Sequence, residues 1–287
     1  MSAYKNIFEA IGKGTIDDVR YFIENGADVN ERSGDITPLH GAVMVRPDVE
    51  IIKYLISCGA NVNAKNNSDR TPLHQACQYN SNIDVIECLI IHGADVNAKV
   101  NNGGTPLHAV TSKPTDALSA TMMANAAMTK SPVKVLNCLI SHGANVNAKD
   151  NAGQTPLHYA VGNRPTIEIV SYLISQGADI NVREEDGWTP LHFAAAHAPA
   201  EVLECLISHG AEINAKTYKG STPLYFAETE ENKRILRSHG GDSQTSGSSY
   251  SGSSGGGGGC LVVLAVLGAS LTAGICGLAL FVTVGMF

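Results

Sequence analysis

No charged residue follows Asp242, so the net charge of −7 belongs wholly to the chain before it and everything after is uncharged. That charge is mildly acidic, and no Lys/Arg cluster forms the basic stripe that phosphates require, which argues against a nucleic-acid partner. The first residues, MSAYKNIFEAIGKG, lack the 7 to 15 residue apolar core of a signal peptide. Synthesis is therefore expected to finish in the cytosol. None of the seven cysteines forms a CxxC pair and no HExxH occurs. Gly12-Lys13 hints at a phosphate loop, but Gly14 replaces the required Ser/Thr and Ile7 stands where the leading Gly belongs. Neighbouring carboxylates fall in runs such as Glu184-Glu185-Asp186 that read as solvated. The expectation is a non-enzymatic chain without cofactor or metal.

What the chain does have is self-similarity. TPLH begins at Thr37, Thr71, Thr105, Thr155 and Thr189, and a variant TPLY begins at Thr222, with spacings of 34, 34, 50, 34 and 33 residues. A second phrase keeps the same register, with GADVN at Gly26 and Gly93, GANVN at Gly59 and Gly143, GADIN at Gly177 and GAEIN at Gly210. Two phrases locked together six times define a repeat.

Each repeat has a physical reading. Thr caps a helix, and Pro takes its first position, where a missing N–H costs nothing. A starter such as Asp48 or Asn82 then opens a second helix, whose apolar residues Val85, Ile86, Leu89 and Ile90 make one oily face. The following Gly supplies a left-handed C-cap, and a turn leads to the next TPLH. A helix pair this small cannot bury its face alone, so copies must stack into a solenoid held by nearest neighbours.

Geometry also speaks against metal or redox chemistry in the ten His and seven Cys. The TPLH histidines sit at the third helical position, where they can bond back to the capping Thr. Equivalent residues of adjacent units lie roughly 8 to 10 Å apart, too far for one zinc with bonds of about 2 Å. Cys88, Cys138 and Cys205 share a position that Tyr21, Tyr54 and Tyr172 fill elsewhere, which reads as half-buried packing of reduced thiols.

On these motifs the chain resembles the ankyrin-repeat family. The resemblance implies an all-α solenoid of about seven helix pairs with short β-turn hairpins over residues 1–241. Its end units depart as caps do: Lys5 to Ala10 replaces TPLHxA, and Arg237 stands where inner units have Ile, as at Ile207. Unit four carries 16 extra residues around 113–130, either a tolerated loop or a Met-bearing contact surface. The family grips protein partners with its hairpin tips and the first-helix face of a concave groove. The matching tip positions are Ile36, Arg70, Gln154 and Trp188, and the exposed first-helix positions are Gln78, Tyr79, Asn163 and His197. Gln75, Tyr159 and Phe193 follow the TPLH His and lie nearby; Tyr159 and Phe193 either join the groove or pack between helices. Aromatic and Arg side chains carry most interface energy, which favours Arg70, Tyr79, Trp188 and Phe193.

Residues 242–259 are almost all Gly and Ser and cannot build a core. As a coil such a stretch spans roughly 24 Å. Cys260 to Phe287 then runs uncharged, longer than the ~20 residues that cross a bilayer core. The expectation is one transmembrane helix at 260–287, a tail anchor that leaves the repeats in the cytosol. Ala265, Ala269, Ala273 and Gly277 recur every four residues, a small-residue stripe through which two spans would associate. The function expected is a membrane-held adaptor for a protein partner. The alternatives are a subunit of a membrane assembly whose span makes specific contacts, or a microbial effector acting in a host cell.

Overall fold

The computed structural model describes residues 4–45, 47–79, 82–112, 132–163 and 165–243. Among these, fourteen helices form seven pairs. The first helices of the pairs are α1 (Ile7–Lys13), α3 (Pro38–Val45), α5 (Pro72–Tyr79), α7 (Pro106–Thr111), α9 (Pro156–Asn163), α11 (Pro190–His197) and α13 (Pro223–Phe226). The second helices are α2 (Ile16–Glu24), α4 (Val49–Ser57), α6 (Ile83–Ile91), α8 (Pro132–Ser141), α10 (Ile167–Ser175), α12 (Ala200–Ser208) and α14 (Glu230–Ser238). Successive first helices pack against one another, and successive second helices do the same, giving two layers with the core between them.

The repeat phrases account for these boundaries. Thr105 and Thr189 are N-caps followed by Pro at the first helical turn, and each exchanges cap hydrogen bonds with the His three residues on. Asp48 and Asn82 cap the second helices α4 and α6 by accepting from the backbone of Glu50 and Asp84. Past each second helix a glycine takes up the left-handed conformation; Gly93, at φ 90°, is typical. Inside, the Leu of each TPLH is completely buried at Leu39, Leu73, Leu107, Leu157 and Leu191. It meets triplets from the second helices such as Ile51, Ile52 and Leu55, or Val135, Leu136 and Leu139.

Neighbouring units are also tied by a ladder of asparagines at the end of each GADVN phrase. Asn97 Nδ2 donates to the Gly143 carbonyl at 2.9 Å, and its Oδ1 accepts from Asn145 N at 2.9 Å. Asn30, Asn63, Asn147 and Asn181 repeat the pattern. Asn214 closes it on Gly240 and Asp242. Each rung replaces two backbone–water bonds across a repeat boundary, worth about 0.5 to 1.5 kcal/mol per bond.

The insertion at 113–130, the linker and the span expected at 260–287, with Ala265, Ala269, Ala273 and Gly277, lie outside the described residues apart from Asp242 and Ser243. Among the described residues no helix is long and apolar enough to cross a membrane.

Candidate groove for a protein partner

The TPLH histidine does more than cap its own helix. In all five TPLH units its Nδ1 accepts from the backbone N–H of the capping Thr, which leaves the proton on Nε2. Nε2–H then donates to the carbonyl of the residue just before the next Thr-Pro: His40 to Arg70, His108 to Gln154, His158 to Trp188 and His192 to Ser221, at 3.1 to 3.3 Å. The tip positions are therefore held by backbone rungs, and their side chains are free to differ. Burial keeps these rings neutral and lowers their pKa, to about 4 for His158 and His192.

Arg70 and Gln78, expected as separate contacts, are joined: the Arg70 guanidinium donates to Gln78 Oε1. Gln78 is 5% exposed and Gln75 3% exposed, so both belong to the floor of the first-helix face and not to its open surface as expected for Gln78. Arg70, Tyr79, Gln154 and Asn163 are half-buried, Ile36 likewise, and His197 is exposed.

Aromatic side chains on α9, α11 and α13 take the same register position in successive units, and those around Trp188 form a connected cluster. Tyr159 stands edge-on to His108 at 5.1 Å, and Phe193 edge-on to His158 at 5.5 Å. Trp188 lies 5.2 Å from Phe193 and 4.2 Å from Phe226, between centroids. The Tyr159 hydroxyl donates to Asp150 Oδ2 at 2.8 Å, and burial beside that carboxylate raises its pKa. Tyr159 and Phe193 are half-buried and pack edge-on against the imidazoles of the preceding unit. Trp188 is half-buried within the cluster and does not stand free at its tip.

Glu184 corrects the reading of its acidic run as solvated. It is 8% exposed, and its Oε1 accepts from the N–H groups of Asp186 and Trp188 at 2.9 Å, which organises the hairpin tip that carries Trp188. Burial, with the nearby charges of Asp186 and Glu185, raises its pKa against those hydrogen bonds. Asp150 and Asn66 do the same job in their own tips. Sequence reasoning also passed over Phe226, Tyr225 and Tyr218. Tyr225, 58% exposed, stands edge-on to Phe226 at 5.1 Å and extends the cluster onto the last unit, and Tyr218 is 72% exposed. Their signal was the TPLY variant, which puts Phe226 in register with Tyr159 and Phe193.

Cys58, Cys77, Cys88, Cys138 and Cys205 are free thiols. Among the described residues no group of three or more His, Cys, Asp or Glu is placed to hold a metal ion.

Comparison with known proteins agrees with this architecture. Family models for ankyrin repeats match residues 7–100 and 39–124 (three copies), 139–194 (many copies), and 102–151 and 186–218 (single repeats). No curated protein sequence is matched. Among solved structures, the ankyrin repeat domain of Bcl-3, described as a unique member of the IkappaB protein family, is similar at 23% identity. It covers 83% of this chain and 100% of its own, with a TM-score of 0.65. The human ASB11 ankyrin repeat domain is similar at 22% identity, covering 84% and 100%, with a TM-score of 0.67. The chain belongs to the ankyrin-repeat family, and its stacked units form a protein–protein interaction scaffold.

Proposed function

We propose that the protein is an adaptor held at a membrane, which recruits a protein partner through the first-helix face and hairpin tips of its repeats. The observation that carries the partner face is the aromatic cluster of Trp188, Phe193 and Phe226 with the exposed Tyr225 at its edge, and Tyr159 in the same register one unit earlier. Large, stiff aromatic groups on a backbone fixed by histidine rungs lose little entropy when a partner covers them. Arg70 and Tyr79 supply a more polar end. The bilayer part rests on the uncharged stretch Cys260 to Phe287, whose length suits one span. Free thiols throughout the described repeats suit a reducing compartment, which supports display of the repeats on the cytosolic side.

Affinity capture with the full-length chain, compared with an Arg70→Ala, Tyr79→Ala, Trp188→Ala variant, tests the partner face. Loss of specific proteins from the variant, with helical content intact by circular dichroism, is the expected result. Equal recovery by both forms would refute the assignment.

A further inference from the structure

The first helices of units two to seven, PLHGAVMV, PLHQACQY, PLHAVT, PLHYAVGN, PLHFAAAH and PLYF, contain no Asp, Glu, Lys or Arg. Of the six tip positions just before Thr-Pro, Arg70 alone is charged, the others being Ile36, Gly104, Gln154, Trp188 and Ser221. Its guanidinium bends onto the uncharged face and donates to Gln78 Oε1 on α5. Among the described residues Arg70 enters no ion pair, and the adjacent Asp69 turns instead to Lys65 at 3.5 Å. The other charged group that reaches this face, the Asp150 carboxylate, already accepts from the Tyr159 hydroxyl and from the N–H groups of Ala152 and Gln154. Arg70 is thus a half-buried guanidinium held by one neutral amide, with most of its N–H donors unused by the protein. One turn before Gln78, Gln75 Oε1 is buried without a donor. Residues three apart on a helix are neighbours, so the Gln78 amide can turn to that oxygen once Arg70 releases it.

A carboxylate is a stronger acceptor for a guanidinium than a neutral amide, and its two oxygens match the planar fork. Building on the partner face proposed above, we propose that the partner is a linear acidic segment. It places a carboxylate on Arg70 at unit three and an aromatic or aliphatic side chain on the Trp188, Phe193 and Phe226 cluster at units six and seven. The carboxylate displaces Gln78, whose freed amide turns to Gln75 Oε1, so binding also pairs an oxygen that the free protein leaves unsatisfied. Arg70 and Trp188 hold equivalent positions three repeats apart. At roughly 8 to 10 Å per repeat they are separated by roughly 24 to 30 Å, which an extended chain covers in about 7 to 9 residues. Charge sets the direction of the segment. The tips at 63–70 and 97–104 hold Lys65, Arg70 and Lys99 against a single acid, Asp69, whereas the tip beside Trp188 exposes Glu185 and Asp186. A segment laid the other way would bring its carboxylate against those two acids.

Phage-displayed random dodecapeptides, panned against the full-length chain in a non-denaturing detergent, test the proposal. The wild type should enrich peptides that carry Asp or Glu about 7 to 9 residues from an aromatic or aliphatic residue. For a selected peptide followed by fluorescence anisotropy, Arg70→Met should weaken binding about tenfold or more, and so should replacing the peptide's acid by its amide. The two changes together should cost little more than either alone, since each removes the same contact. The rung from His40 uses the Arg70 backbone carbonyl and not its side chain, so the variant should keep native circular dichroism. Peptides whose capture is lost with Trp188→Ala, but which show no acid preference or are indifferent to Arg70→Met, would overturn the carboxylate contact and leave the partner face standing. If no enriched peptide depends on Trp188, the partner face itself fails and the carboxylate contact falls with it.

Discussion

Each rung imidazole carries two roles that sequence assigns to separate residues. Nδ1 completes the cap of its own helix, and Nε2–H holds the next unit's tip. Replacing His158 by Ala removes both bonds, strands the Thr155 N–H and the Trp188 carbonyl, and uncovers one face of Phe193. The expected loss is about 2 to 4 kcal/mol, read from urea unfolding followed by Trp188 emission. Acid should weaken the same rungs. His74, His158 and His192 are held neutral at about 4 against an ordinary 6.5. As pH falls the unfolded chain therefore takes up protons before the folded one does. Their contribution is fully present above about pH 6.5 and is lost progressively down to about pH 4. The urea midpoint should fall steadily over that window, and replacement of His158 by Ala should flatten the slope.

At the scale of elements, the glycines separate conformation from packing. Gly93 has φ 90° with open space around it, so Gly93→Ala should cost only the left-handed strain, about 1 to 2 kcal/mol. Gly187 has φ 81°, and a methyl group there would lie 2.8 Å from the Tyr218 backbone nitrogen, which is itself tied to the Asp186 carbonyl. Gly187→Ala should therefore be the more damaging of the two in a thermal melt, since the tip must move as well as strain. Gly93 was legible as a helix C-cap in the GADVN phrase, while Gly187 lies outside both repeat phrases. The difference in cost between them was not legible, because it depends on how close the neighbouring tip comes. The same holds for the carboxylates of one acidic run: Glu184 is drawn inside by two backbone N–H groups, while Glu185 and Asp186 stay in water.

For the whole molecule, the proposed division is between a scaffold that binds and a segment that anchors. Full-length protein should float with phosphatidylcholine vesicles in a density gradient, and a chain cut after Gly259 should stay at the bottom. Equal behaviour of the two would leave only a free scaffold. Salt should not release the full-length form, because the segment after Asp242 carries no charge to screen.

The amino-acid sequence by itself determined the period, the two helices of each unit, their caps and the buried leucines, because these depend on contacts within one repeat or between identical positions of adjacent ones. It also placed Arg70 and Trp188 at equivalent positions just before Thr-Pro through the register of the repeat. Only the tertiary structure decided that Gln78 turns inward to Arg70, that Trp188 is packed between Phe193 and Phe226, and that Glu184 is drawn inside its hairpin tip. These outcomes depend on distances between non-identical side chains of neighbouring units, which a repeating pattern averages away.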